Sequence, residues 1–156
     1  MSTVTLPLPQ LLVRLYARAT QQVDRLQPLA SLALRVYVAR VFFLSGLTKI
    51  HDWSVTLALF HNEYHVPVLS PPVAAALGTS AELGLPILLL LGFGSRFAAA
   101  ALFIFNIVAA TSYPDLSDAG IKDHVLWGAL LLVTLFYGPG KLSLDLLLGR
   151  RYGADR

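Results

Sequence analysis

The chain alternates between long apolar runs and short polar breaks, and the runs do not alternate residue by residue. Four of them, residues 29–47, 72–91, 97–113 and 124–137, approach or reach the ~17–25 residues that a helix needs to cross a bilayer. Continuous rather than alternating apolarity predicts helices, not barrel strands. Proline and glycine mark the breaks: Pro71-Pro72 before the second run, Gly92-Phe93-Gly94 after it, Pro114 after the third, Gly138-Pro139-Gly140 after the fourth. The last two runs are short, so their helices extend into flanking residues or stand nearly upright.

A different pattern precedes the first run. Leu8, Leu11, Leu12, Leu15, Ala19, Val23 and Leu26 fall on one helical face, with Arg14, Arg18, Gln21 and Arg25 elsewhere. This predicts an amphipathic interfacial helix lying on the membrane surface near anionic headgroups, or a docking site for a soluble partner. The expected organisation is an all-α, integral membrane four-helix bundle: an interfacial segment 1–28, the bundle 29–138 and a tail 139–156. Within the tail, residues 142–148 are expected to lie down similarly, with Ser143 as N-cap.

Composition agrees. Of 156 residues, 56% are hydrophobic and 13% charged, with a mean hydropathy of +0.65. A soluble domain carries about 25% charged residues, so this chain has too few to coat a surface facing water. The net charge of +3 is too small to argue for nucleic acid. Cysteine is absent, which excludes disulfides, thiolate nucleophiles and cysteine-ligated clusters on this chain. No cleavable signal peptide is expected, because the first 30 residues hold three arginines, three prolines and no uninterrupted apolar core.

Basic residues set the expected direction. Arg14, Arg18, Arg25, Arg35, Arg96, Lys141, Arg150, Arg151 and Arg156 fall on one side of the spans, Lys49 and Lys122 on the other. The positive-inside rule then makes both termini and the 92–96 turn cytoplasmic, with loops 50–70 and 114–123 outside.

Two charges interrupt the apolar runs: Arg40 in the first and Glu82 in the second. A charge inside a bilayer is costly unless paired, and marks a functional site by default. Counting ~1.5 Å per residue from opposite surfaces, both lie about 15 Å deep, near the midplane. Asn106 in the third span reaches the same level. One reading is a polar site that holds a quinone headgroup, relays a proton or binds a small ligand. The other is a structural clamp in which Arg40 and Glu82 neutralise each other and Asn106 takes a spare donor. Pro86 lacks the N–H that would bond the Glu82 carbonyl, and Gly78 and Gly84 permit close packing.

All four histidines fall on the expected outer side. His61 and His65 are four apart, so on one helical turn they share a face that suits Cu or Zn; solvated loop histidines are the plainer reading. Lys49, His51, Asp52 and Trp53 crowd the exit of the first span, and Asp123, His124 and Trp127 the entrance of the fourth. These groups either form a mouth over the buried charges or, for Trp53, Tyr113 and Trp127, are interfacial aromatics. Haem is not expected, since only His124 lies near a span and it has no facing partner.

Three stretches together resemble the DoxX family of small four-helix bacterial membrane proteins. They are Arg40-Val-Phe-Phe-Leu-Ser-Gly46-Leu-Thr-Lys49-Ile; Ala81-Glu82-Leu-Gly84 followed by Gly92-Phe-Gly-Ser-Arg96; and Gly138-Pro-Gly-Lys-Leu-Ser143-Leu-Asp145. The resemblance covers roughly residues 35–148. It implies a bacterial inner-membrane location and a subunit linked to respiratory or sulfur redox chemistry, with a quinone as cofactor and a soluble or membrane redox partner as electron source. Tyr113-Pro114 and Asp123-His124 before Trp127-Gly128 resemble members encoded beside copper-responsive peptide-modification enzymes. The family positions are Arg40, Lys49 and Glu82, expected to carry chemistry, with Gly46, Gly92, Arg96, Ser143 and Asp145 around them. Asn106, His124 and Trp127 are the expected ligand contacts. Against this quinone-linked oxidoreductase subunit stands a non-catalytic anchor or assembly protein, and more remotely a transporter, for which the cytoplasmic half offers few polar residues. Small residues at 98–101 leave room for a homo-oligomer.

Overall fold

A computed structural model describes residues 7–153. They form six helices: α1 (Leu8–His51), α2 (Trp53–Asn62), α3 (Pro71–Leu91), α4 (Ser95–Ser112), α5 (Asp118–Tyr137) and α6 (Leu144–Tyr152). Four of these, α1, α3, α4 and α5, are long and apolar enough to cross a membrane. The protein is an all-α, multi-pass membrane bundle. Its interior is built from Val38 and Phe42 of α1, Leu89 of α3, Ala98, Ala99 and Leu102 of α4, and Leu131 of α5.

The N-terminal segment departs from expectation. Residues 8–51 are one helix of 44 residues, about 66 Å long at 1.5 Å per residue, with Pro28 inside it. The expected boundary at 28/29 therefore falls within a continuous rod rather than between a surface helix and a span. Pro28 removes one backbone donor, but the helix is regular on either side and continues through it. From Leu8 to Leu29 every residue is exposed except Thr20 and Pro28, so this part has no packing partner in the bundle. Residues 1–6 lie outside the described structure.

The loop expected over 50–70 is half helical. Asp52 ends α1 and N-caps α2 through Val55 N–H at 3.0 Å, and Thr56 Oγ1 bonds back to the Lys49 carbonyl at 2.9 Å. That fold-back lays α2 against α3, with Phe60, Ala74 and Ala75 as a second small core. α5 begins at Asp118, six residues before the expected span, because Ser117 caps it through Gly120 N–H.

At the opposite end, a lock joins α1, α3, α4 and α6. Arg35 is fully buried and donates to the carbonyls of Leu90 (2.9 Å), Leu89 (3.3 Å) and Leu142. The Leu89 carbonyl also accepts from Gly92 N–H, whereas those of Leu90 and Leu142, at the end of α3 and in the turn before α6, are acceptors that a membrane protein must satisfy internally. Asp145 complements it, accepting from Gly94 N–H (2.7 Å), Ser95 N–H (2.9 Å) and Ser95 Oγ (2.8 Å) at the start of α4. Ser143 caps α6 as expected, through Leu146 N–H at 3.3 Å. Gly92 makes the junction fit: its φ is +67°, and a Cβ there would lie 2.5 Å from that of Ser143. Arg35, assigned to topology in the sequence, is thus the buried arginine of the fold.

Of the small residues 98–101, Ala98 and Ala99 are fully buried in the core, while Ala100 and Ala101 are half-buried. Asp145→Ala removes all three hydrogen bonds at the N-terminus of α4 and should lower stability by about 1–2 kcal/mol. Thermal unfolding in detergent, followed by circular dichroism, checks this. Arg150→Ala, on the exposed last turn of α6, should leave the transition within about 0.5 kcal/mol of wild type.

Candidate functional site

The charged partner of Glu82 is Lys49, not Arg40. Lys49 Nζ lies 2.7 Å from Oε1 and 2.6 Å from Oε2 of Glu82, and donates to Ser45 Oγ at 2.9 Å. Ser45 in turn donates to Glu82 Oε1 at 3.0 Å. Glu82 is 4% exposed and Arg40 lies on the outside of the bundle. Helix geometry explains the correction. At about 100° per residue, the nine positions between residues 40 and 49 put Arg40 and Lys49 on opposite faces of α1. Arg35, Val38, Phe42, Ser45 and Lys49 recur at three- and four-residue steps and share the inward face.

Depth follows from side-chain direction. Glu82 is eleven residues into α3, about 16 Å from its start. Lys49 is only two residues from the end of α1. Helical side chains lean toward the N-terminus, so the lysine stem carries its ammonium inward to the carboxylate. Gly46 permits the approach: a Cβ there would meet Leu83 side-chain carbons at 2.9 Å and Glu82 Cβ at 3.1 Å.

The ion pair ends an apolar cavity of about 350 Å³ walled by α2, α3 and α4. Lys49 and Glu82 are the only charged residues lining it; Phe60, Tyr64, Leu77, Gly78, Ala81 and Phe105 are among the others. An aromatic stack roofs the cavity on the α2 side, with Phe60 on Tyr64 (4.8 Å between rings) and Tyr64 against Tyr113 (5.1 Å). Tyr113 Oη donates to Glu63 at 2.9 Å, and His65 N–H donates to the Ser112 carbonyl at 2.7 Å, tying the roof to α4. Burial, and then the Glu82 carboxylate, push the Tyr64 phenol up, so it stays neutral at physiological pH. None of Ser45, Phe60 or Tyr64 was expected at the site. Ser45 lies four residues before Lys49, a helical neighbour visible in the sequence; the aromatic roof depends on α2 folding back.

Asn106 does not join this layer. It faces α5, where its Nδ2 donates to the His124 carbonyl at 2.9 Å and its Oδ1 lies 2.8 Å from His124 Nδ1. The carbonyl fixes the amide orientation, so Oδ1 is the acceptor and Nδ1 of His124 carries the proton. His124 packs edge-on against Trp127 (4.9 Å), and Trp127 against Phe42 (5.8 Å). Trp127 thus packs against the core, its buried Nε1 without a hydrogen-bond partner. Together these three residues connect α4 and α5 on a face separate from the Lys49–Glu82 cavity, beside a groove of about 580 Å³ that Asn106 and His124 line.

His61 and His65 do not share a helical face. α2 ends at Asn62, so His61 is helical and exposed while His65 lies in the following loop, its Nδ1 3.1 Å from the Glu63 carbonyl. Among the described residues no three His, Cys, Asp or Glu side chains gather as metal ligands would. His51 is exposed, and Asp52 is used as the cap of α2 rather than in the cavity.

A multi-pass bundle with one buried lysine–glutamate pair at the end of an apolar cavity defines the class. The DoxX family profile matches residues 30–114, and the chain belongs to this family. It is also 32% identical over 130 residues to an uncharacterised protein of Haemophilus influenzae, covering 78% of this chain and 84% of that one. No solved structure shows a significant match.

Removing one partner of a buried ion pair strands the other charge. Lys49→Met should therefore cost about 3–5 kcal/mol, whereas Lys49→Met with Glu82→Leu should recover most of the loss. Unfolding of the three proteins in matched detergent measures the coupling; additive losses would show that the pair is not linked.

Proposed function

We propose that this protein is a membrane subunit of a redox system that holds the polar head of a lipid-soluble quinone, or a small ligand with a similar head, in the Lys49–Glu82 cavity. The observation that carries this reading is the cavity itself: apolar walls for a ring or tail, and a single charged pair where a carbonyl group would end. Its volume falls in the range of small-molecule sites, about 300–1,000 Å³. In a dry setting, an ammonium donating to a quinone oxygen stabilises the negative charge that develops on reduction. Glu82 lies beside Lys49 and is placed to exchange the protons that reduction to the hydroquinone consumes. Two electrons and two protons are needed; a partner protein supplies the electrons. Arg40, on the far face of α1, has no part in this chemistry. The surplus of basic residues at the Arg35 end supports a bacterial inner-membrane location with both termini in the cytoplasm.

A non-catalytic anchor is the second reading, and one observation favours it. Lys49 directs its donors to both Glu82 oxygens and to Ser45, so a ligand must displace one of these bonds to be recognised. Calorimetric titration of the purified protein with a decyl-benzoquinone separates the two. Saturable binding is expected, weakened at least tenfold by Glu82→Gln and lost in Ala81→Phe, which fills the cavity while leaving the ion pair intact. An unfilled wild-type cavity, or binding indifferent to Ala81→Phe, would leave the anchor as the function.

A further inference from the structure

Arg40 presents an unsolved electrostatic problem. It is exposed on the lipid-facing side of a spanning helix, and among the described residues it makes no hydrogen bond or ion pair. A guanidinium cannot shed its charge in a protein and is too costly to leave bare in hydrocarbon. It must reach an anion outside the bundle.

The fold shows where. Arg40 is five residues from Arg35, about 7.5 Å along α1. Arg35 itself bonds the last carbonyls of α3, so it marks the end of the apolar layer. Side chains on a helix lean toward its N-terminus, here toward that same end. A stem of ~6 Å leaning this way brings the Arg40 guanidinium to within about 2 Å of that end, where lipid headgroups come within reach. Beside it runs a shallow groove of about 270 Å³ between α1 and α3, lined by Val36, Ala39, Phe43, Pro86, Ile87 and Leu90. Its walls are apolar and Arg40 is its only charged residue. Ala39 of α1 and Pro86 of α3, both buried, form its floor.

We propose that Arg40 and this groove form a binding site for an anionic phospholipid, with the guanidinium on the phosphodiester and an acyl chain along the groove. The charge selects the occupant. A planar guanidinium matches a phosphodiester in two parallel hydrogen bonds, and the lipid's net negative charge leaves the arginine neutralised. A second copy of the chain docking symmetrically through this face would bring Arg40 against Arg40, which disfavours it. The site is independent of the Lys49–Glu82 cavity, which opens on another face of α3.

Native mass spectrometry of the purified protein, titrated with phosphatidylglycerol or phosphatidylcholine of identical acyl chains, tests this. Wild type should retain phosphatidylglycerol at least tenfold over phosphatidylcholine. Arg40→Leu should bring the two to parity with unchanged thermal stability, and Arg40→Lys should keep part of the preference. Ile87→Trp, which crowds the groove but leaves the charge, should also weaken retention; it provides the reading if Arg40→Leu does not fold. Equal retention of both lipids by wild type would overturn the site. So would a preference unchanged in Arg40→Leu, which would assign it to Arg96, Lys141, Arg150 or Arg151. A dimer that disappears in Arg40→Leu while lipid retention stays constant would show a second copy there instead.

Discussion

A carboxylate halfway through an apolar helix must be neutralised inside the bundle, and the packing of α1 on α3 follows from that requirement. Glu82 meets Lys49 only because Gly46 lets the two helices close to backbone distance and because the lysine stem leans inward from the end of its helix. Ser45 completes the ring of hydrogen bonds, so each oxygen and the ammonium have partners without water. The same pair then ends the cavity. Its other lining residues are uncharged and mostly apolar, so the pair is the one charged patch in that cavity.

The other end of the bundle solves a related problem with opposite chemistry. There the exposed charges are those of helix ends: free carbonyls at the close of α3, free N–H groups at the start of α4. Arg35 takes the first and Asp145 the second, and both depend on α6 returning to the junction. The tail after α5 is therefore part of the bundle's closure. The arginines of α1 also divide by role: Arg35 serves backbone acceptors inside, while Arg40, five residues on and about 140° around the helix, faces outward.

Much of the architecture was legible because its signals are one-dimensional. Length of apolar run, glycine and proline breaks, and scarcity of charge each survive projection onto a line; they locate α3 and α4 closely and find α1 and α5, whose starts lie upstream of the expected runs. Ser143 as a cap was legible for the same reason, since capping is local. Pairing by depth alone was the weak step. Depth counted along the apolar runs placed Arg40, Glu82 and Asn106 in one layer, but Gly46 rather than Arg40 lies level with Glu82, and helices present residues by angle as well. The three- and four-residue steps from Arg35 to Lys49 held that angular information and point Arg40 outward. The helix α2 was hidden because its stability comes from packing Phe60 on Ala74 and Ala75, contacts far apart in the chain.

By itself, the sequence determined that the chain spans a membrane several times, that its helices end near particular glycines and prolines, and that Glu82 needs a partner. These follow from transfer energies and backbone chemistry, which depend on local composition. Only the tertiary structure decided which cation answers Glu82, that Asn106 turns to His124 rather than to the charged layer, and that Arg35 rather than Arg40 is enclosed. Those outcomes depend on the rotation of each helix about its axis and on where a close approach is sterically allowed, and no single stretch of chain carries either.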